Sequence, residues 1–424
     1  MSFSQRLDQI VSLAEVIGKN REAIVDLAVK ELRFTVKDSR TEVDLVQENL
    51  RRFQETESLL AARAPLGGTG SSVSLMLSYN GSAWLNTTIT SIFLVGNRVR
   101  VKFSSKGRKL MELTESMYRP IFGDAITFYG GSGRSFIEAS LEDPEVSTVV
   151  VFGFDENILP YAEAFRSSGK KLVFEGPGSD PFIVFPDADL DLALSDLMAG
   201  KFMYSGQTCT APKRIFIHES LYDAFLELFV ERVKRLRAGP PEDERTDVAP
   251  VVSDLAVHRI REQLDEAVRK GARILVGGRI NGNLIQPTVL RDATDEMLGM
   301  REEVFGPVAF TSPFGSMDEV LVRAKNHKYA LRAAVFGGEE ARQAADSLRG
   351  GDYCHPVADY TFGTFGTVAC NEARSTTWRG SFVTKPVGGY GYSGWIWETV
   401  EGEFRLKQGP KLLSVETSQP LGKG

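Results

Sequence analysis

One change of texture limits the fold more than any other feature of the chain. The Gly/Ser stretch Gly67-Gly68-Thr69-Gly70-Ser71-Ser72 divides it. Ahead of that break, Leu7, Ile10, Val11, Ala14 and Ile17 recur at helical spacing. Ile24, Leu27, Ala28 and Leu32 repeat the pattern, followed by Val43, Val46, Leu50 and Phe53, so the opening reads as amphipathic helices. After the break, short β-rich runs alternate with helical ones. Strands are expected at 73–79, 98–103, 125–129, 146–152 and 171–174, then at 214–218, 272–276, 308–311 and 333–336. Helical runs such as 221–236 and 253–270 lie between them. Strands joined by helical crossovers must run parallel, and parallel sheets are covered on both faces. The expected fold class is therefore α/β, with two parallel-sheet, Rossmann-like domains joined near residue 178 and a cleft between them.

A chain of 424 residues, 42% hydrophobic, is long enough for two such cores. Its formal net charge of −6, with Lys and Arg scattered among Asp and Glu, gives no footprint for nucleic acid or an anionic membrane. Neither is expected as a partner. The three cysteines, Cys209, Cys354 and Cys370, form no Cys-x-x-Cys pair and are odd in number, which argues for a reducing compartment. His218, His258, His327 and His355 show no metal-ligand spacing, so no metal is expected. The start lacks the apolar core of a signal peptide, and no run approaches roughly 18 apolar residues. A cytoplasmic location is the expectation.

Two residues flank the expected junction and carry reactive chemistry. Cys209, in Gly206-Gln207-Thr208-Cys209-Thr210, is a thiol that can attack a carbonyl, and Glu175, in Phe174-Glu175-Gly176-Pro177-Gly178, is a carboxylate that can activate water. A lone cysteine is ordinarily a buried thiol, and a lone glutamate a solvated charge. Their neighbours give the pair weight. Glu303-Val304-Phe305-Gly306-Pro307-Val308 and Pro386-Val387-Gly388-Gly389-Tyr390-Gly391-Tyr392-Ser393-Gly394 follow in order. Together with the Glu175 and Cys209 strings, they make the chain from about residue 73 onward resemble the aldehyde dehydrogenase superfamily.

That resemblance implies an NAD(P)-dependent oxidation of a small aldehyde to a carboxylic acid. Residues 1–177 would hold the opening helices and a dinucleotide-binding domain, 178–395 the nucleophile domain, and 396–424 a C-terminal helix and oligomerisation strand. Cys209 would be the nucleophile, passing through a thiohemiacetal and a thioester. Asn80, in Ser78-Tyr79-Asn80-Gly81, would donate to the developing oxyanion together with the backbone N–H of Cys209. Glu175 would activate the water that hydrolyses the thioester. Lys102 matches the lysine that bonds the adenosine ribose, and Glu303 and Phe305 match the pair that holds the nicotinamide ribose and packs beside the ring. Ser105 stands where NAD-preferring members carry Glu, and Lys106 follows it. Without that carboxylate a 2′-phosphate is not repelled, so NADP is favoured over NAD.

Three departures qualify the match. After Gly153 the chain reads Phe154-Asp155-Glu156-Asn157, placing two carboxylates where the family brings a helix start to the pyrophosphate. Such charges repel a diphosphate and leave open a degenerate member that only binds or scaffolds. Next, Gly176-Pro177-Gly178-Ser179-Asp180-Pro181 is similar to the loop of the coenzyme A-acylating branch, which generally lacks the base glutamate. Glu175 thus favours hydrolysis over acyl transfer. Lastly, 61–70 leaves little room for a protruding hairpin, while 411–416 reads as an edge strand of the kind that pairs across a subunit boundary. A homodimer is expected, with a tetramer as the larger alternative. The Thr-, Phe- and Tyr-rich segment 350–385 would border the substrate entrance.

Overall fold

Three helices open the chain: α1 Phe3–Lys19, α2 Arg21–Leu32 and α3 Val36–Arg51. The computed structural model of the protein describes residues 1–56, 71–80, 84–349, 365–374 and 387–417. Ser2 starts α1 with a capping box: its hydroxyl accepts from Gln5 N at 3.2 Å, and its own N–H donates to Gln5 Oε1 at 2.8 Å. Thr35 caps α3 by accepting from Asp38 N at 3.1 Å. The stripes read from the sequence, Ile10, Ile17, Ile24, Ala28, Val43, Val46 and Leu50, are all buried, and the three helices pack on one another and on helices Trp84–Leu94 and Arg108–Phe122, which lie over the first sheet. Glu31 of α2 fixes the bundle to the next layer. Its carboxylate accepts from Lys109 N and Leu110 N at 3.0 and 2.9 Å, at the start of helix Arg108–Phe122, where it also complements the helix dipole.

Strands are numbered in chain order. The first sheet contains β1 Ser72–Met76, β2 Arg98–Lys102, β3 Ile126–Phe128, β4 Val146–Phe152, β5 Lys171–Glu175, β17 Gly394–Val400 and β18 Glu403–Gln408. Their order across the sheet is β18-β17-β5-β4-β1-β2-β3. β1 to β5 are parallel, and apolar runs such as Val149-Val150-Val151 and Leu172-Val173-Phe174 are buried because helices cover both faces. The second sheet contains β6 Asp180–Val184, β7 Pro212–His218, β8 Arg273–Val276, β11 Thr288–Arg291, β12 Val308–Phe314, β14 Arg332–Phe336 and β15 Thr367–Cys370, in the order β15-β14-β6-β7-β12-β11-β8. Only β8 runs antiparallel there. Two short pairs complete the count among the described residues: β9 Ile280–Asn281 with β10 Leu284–Ile285, and β13 Tyr329–Ala330 with β16 Tyr390–Gly391. Two parallel-dominated sheets were expected, and two are found.

The nine strands expected from the sequence all form, with shifted ends. β6, β11, β15, β17 and β18 of the two large sheets, and the short β9, β10, β13 and β16, were not anticipated. β6 follows a Gly-Pro-Gly turn too closely to show its own start, and β17 reads as aromatic and mixed rather than alternating. One expectation is overturned. The run 411–416 is not an edge strand: Lys411 makes a single bridge to Val387, and Leu413–Glu416 is one helical turn whose Leu413 is buried beneath helix Trp84–Leu94. The reason lies in the hairpin ahead of it. β17 lies antiparallel along β5 and β18 along β17, and Gly409-Pro410 then turns the chain away from the β18 edge, so 411–416 adds no strand to the sheet. Glu401 and Gly402, at φ 53° and 82°, make the two-residue hairpin turn. The segments 61–70, 350–364 and 375–386, including Cys354 and His355, lie outside the described residues. No helix among the described residues is long and apolar enough to cross a membrane.

Because Ile17 is fully buried between the opening helices and the first sheet, Ile17→Ala should lower stability by roughly 2–5 kcal/mol. Urea unfolding followed by tryptophan fluorescence measures the loss.

Candidate active site

The loops that leave the carboxyl ends of β1, β2, β4 and β5 converge on one cleft of about 290 Å³. Since β1 lies between β2 and β4, the strand order reverses there, and ligands of open α/β sheets bind at such switch points. All eight residues singled out from the sequence line this cleft: Asn80, Lys102, Ser105, Gly153, Glu175, Cys209, Glu303 and Phe305. Residues distant in sequence thus share one wall.

Cys209 reaches the cleft on a tightly wound loop. Tyr204 and Ser205 have φ of 50° and 57°, and Gly206 follows at 74°. Non-glycine residues adopt this region only when their surroundings hold them there. The holding contacts are explicit. Asp38 of α3 accepts from Tyr204 N at 2.9 Å, Ser205 Oγ accepts from Ala249 N at 2.9 Å, and Gln207 Oε1 accepts from Val252 N at 2.8 Å. A side chain on Gly206 would meet the backbone of Gly306, so the Gly-Gln-Thr-Cys and Glu-Val-Phe-Gly-Pro strings pack directly on each other. Lys213 of β7, fully buried, donates to Thr208 O at 2.9 Å, Cys209 O at 2.6 Å and Glu303 Oε1 at 3.2 Å. Glu303 Oε1 also accepts from Gly178 N at 3.3 Å. Lys213 escaped sequence reasoning because a lysine four residues after the nucleophile looks like any strand-end charge.

Glu175 ends β5 beside the thiol: Cys209 Sγ lies 3.9 Å from Glu175 Oε1, at hydrogen-bond range for sulfur. Desolvation by the surrounding cleft, opposed by the Lys411 ammonium and assisted by the Glu303 charge, pushes its carboxyl up to about 8. The Cys209 thiol is likewise held well above its ordinary value, by burial first and by Glu175 second. Neither group ionises easily while the other is charged. Asn80 faces the same cleft with its amide oxygen accepting from the Ser78 hydroxyl, which leaves the NH2 group to donate.

At the other end of the cleft, Lys102 is buried and donates to Phe103 O, while Ser105 and Lys106 are exposed on a short 3-10 turn. The carboxylates after Gly153 do not point unopposed into the cleft. Asp155 accepts from the Tyr329 hydroxyl at 3.1 Å, and Glu156 pairs with Arg259 at 3.0 Å. Arg259 also lies 5.7 Å from the Phe154 ring centre, and Phe154 packs edge-on to Phe305 at 6.1 Å. Arg259 and Tyr329 belong to the second half of the chain, so the Gly153 loop is tied across the cleft. A side chain at Gly153 would meet nothing within 4 Å, which leaves open space beside this loop. A dinucleotide fits this end: it offers a buried ammonium, exposed hydroxyl and lysine groups, and acidic side chains already engaged by Arg259 and Tyr329.

Replacing Glu175 by Gln removes the negative charge next to Cys209. Above pH 8, where Glu175 is ionised, alkylation of Cys209 by iodoacetamide should then begin about one pH unit lower than in the wild type. Rates measured from pH 7 to 10 test this, and an unmoved profile contradicts the coupling.

Comparison with known proteins agrees with the geometry. The family model described as "Aldehyde dehydrogenase family" matches residues 1–395. A succinate-semialdehyde dehydrogenase [NADP(+)] of Mycobacterium ulcerans is 29% identical over 360 residues, covering 81% of this chain and 79% of that protein. D-glyceraldehyde dehydrogenase (NADP(+)) of Picrophilus torridus is 27% identical over 380 residues, covering 83% and 76%. In fold, the chain is similar to an aldehyde dehydrogenase of Brucella melitensis, with a TM-score of 0.83 at 21% identity over 99% of this chain and 84% of that one. It is also similar to succinic semialdehyde dehydrogenase from Streptococcus pyogenes in complex with NADP+, with a TM-score of 0.81 at 21% identity over 98% and 88%. With the family model matching nearly the whole chain and the thiol, carboxylate and amide gathered in one cleft, the chain belongs to the aldehyde dehydrogenase family.

Proposed function

We propose that this aldehyde dehydrogenase oxidises a small aldehyde to the free carboxylic acid with NADP+ in preference to NAD+, through a thioester on Cys209. The observation that carries the reading is the 3.9 Å approach of Cys209 Sγ to Glu175 Oε1 inside the shared cleft. Cys209 gives up its proton to solvent, and the thiolate adds to the aldehyde carbon. The oxyanion that forms is held by the Asn80 amide and the Cys209 N–H. When bound, the nicotinamide supplies the hydride acceptor. Lys102, Ser105, Gly153, Glu303 and Phe305 would hold the cofactor, and loss of hydride from the thiohemiacetal carbon leaves a thioester. Glu175, as a carboxylate, takes a proton from water as the water oxygen attacks that carbon, and the C–S bond breaks to release the acid and the Cys209 thiolate, the proton on Glu175 then passing to solvent.

The lean toward NADP rests on Ser105 and Lys106, where no carboxylate opposes a 2′-phosphate, and on the cofactor named for the relatives. Succinate semialdehyde and glyceraldehyde, named for those relatives, are the first substrates to test. We retain the homodimer as the assembly and the cytoplasm as the location. With 411–416 helical, the first sheet offers β18 as its edge strand, and a monomer mass by light scattering would remove the dimer.

Cys209→Ala should abolish reduction of NADP+, while Glu175→Gln should give one equivalent of NADPH and then slow by about 10²–10⁴-fold. Rapid-mixing absorbance records both. Steady turnover by Glu175→Gln at the wild-type rate, or acyl-coenzyme A as the product when coenzyme A is present, contradicts hydrolysis by Glu175. Ser105→Glu should cut kcat/KM for NADP+ by roughly tenfold or more, since juxtaposed like charges cost several kcal/mol. Initial rates with both cofactors provide the check.

A further inference from the structure

The turn that presents Cys209 is held from behind by two buried cations. Thr208 O accepts from Ala211 N at 3.2 Å, so residues 208–211 form a β-turn with Cys209 at its first corner. The same carbonyl accepts from Lys213 Nζ at 2.9 Å, and the next one, Cys209 O, accepts from Lys213 Nζ at 2.6 Å. The third, Thr210 O, accepts from Arg374 Nη1 at 2.5 Å. Three successive carbonyls around the nucleophile are therefore each bound by a cation. Lys213 is fully buried, Arg374 is only 3% exposed, and neither lines the cleft. Arg374 passes over Gly200, where a Cβ would stand 2.5 Å from Nε, and its own backbone N–H donates to Asp196 of helix Leu190–Phe202.

A planar trans peptide carries its C=O and N–H on opposite sides, so a bond that fixes the direction of one fixes the other. The Thr208 carbonyl is drawn inward, toward the Lys213 ammonium and the Ala211 N–H. The N–H of that same peptide belongs to Cys209, and it is thereby turned outward, to the side where the Cys209 thiol and Asn80 line the cleft. Among the described residues, no acceptor takes the Cys209 N–H, which leaves it to donate to a ligand. A charged donor on the carbonyl also draws electron density toward the oxygen, and the N–H across the peptide becomes the stronger donor. Arg374 works two peptides further on: by holding Thr210 O it directs the Ala211 N–H toward Thr208 O. The ammonium of Lys213 has three protons, and Thr208 O, Cys209 O and Glu303 Oε1 take all three. An anchor for Glu303 alone needs one.

We propose that Lys213 is the positioning residue of the oxyanion site: its ammonium orients and polarises the Thr208–Cys209 peptide so that the Cys209 N–H donates to the oxygen of a carbonyl that Cys209 attacks. The proposal rests on Cys209 as the nucleophile of the proposed oxidation. Lys213 then acts in every step that passes through a tetrahedral oxyanion, formation of the thiohemiacetal and hydrolysis of the thioester alike. Attack of the same sulfur on a saturated carbon makes no oxyanion, and there Lys213 contributes only through the thiolate population. The two kinds of attack separate orientation of the N–H from simple upkeep of the loop.

The test uses the full-length protein without cofactor and compares two reagents for Cys209 at one pH. With p-nitrophenyl acetate the thiolate adds to the ester carbonyl, and the tetrahedral oxyanion collapses to an acetyl thioester with loss of p-nitrophenolate, whose absorbance is followed by rapid mixing. Iodoacetamide alkylates the same sulfur with loss of iodide and no oxyanion. Both rates scale with the fraction of thiolate, so their ratio is independent of that fraction. In Lys213→Met the ratio of acylation to alkylation should fall by about 10²-fold. If Lys213→Met does not fold, because Glu303 is left buried without its partner, Lys213→Met/Glu303→Gln removes that charge and reads the same ratio, with no cofactor present for Glu303 to hold. A ratio that stays at the wild-type value in the folded variant overturns the proposal and marks Lys213 as an anchor of the loop only. Absence of a p-nitrophenolate burst in the wild type, or an equal burst in Cys209→Ala, instead overturns Cys209 as the nucleophile, so the two failures are distinguishable.

Discussion

The architecture of the cleft depends on one buried ammonium. Lys213 Nζ bonds the carbonyls of Thr208 and Cys209 and one oxygen of Glu303, which in turn accepts from Gly178 N. Two loops of the second half, the start of β7 and the turn that joins the halves meet at that point. Both charges are almost completely removed from water, so the pair holds only because additional hydrogen bonds satisfy them. Loss of either partner would leave an isolated buried charge, at about 3–5 kcal/mol. The wound Tyr204–Gly206 backbone is a second constraint built on the first. Asp38 reaches it from α3, so the opening helices also hold the loop that carries Cys209.

Desolvation then decides the chemistry available. The cleft raises both the Cys209 thiol and the Glu175 carboxyl because their charged forms leave water and face each other. A thiol and a carboxyl that share one proton need not both ionise. The Lys411 ammonium opposes the desolvation of Glu175, and Lys171 and Lys407 clamp Glu416 on the C-terminal turn.

The cofactor end follows the same logic of charges being engaged before a ligand arrives. Asp155 and Glu156 looked hostile to a diphosphate when read as bare carboxylates beside Gly153. In three dimensions a hydroxyl from Tyr329 and a guanidinium from Arg259 engage them, and Phe154 packs on Phe305. The loop is thereby tied across the cleft.

Much was legible in the sequence because the signals were local. Helical periodicity marked the opening bundle, short apolar runs between helices marked the parallel strands, and the Cys209, Glu175, Asn80 and Glu303 strings kept the spacing that brings them to one cleft. Those signals arise from backbone geometry and burial, which neighbouring residues determine among themselves. What remained hidden were groups whose meaning depends on distant partners. Lys213, Lys411, Asp38, Arg259 and Tyr329 read as ordinary polar residues, and the run 411–416 read as a strand because nothing local revealed that β17 and β18 already occupied the sheet edge. The sequence by itself determined the fold class and singled out Cys209 and Glu175, which share one cleft. Only the tertiary structure decided how those groups are charged and held, because the field at a buried site is the sum of charges that the chain brings together from far apart.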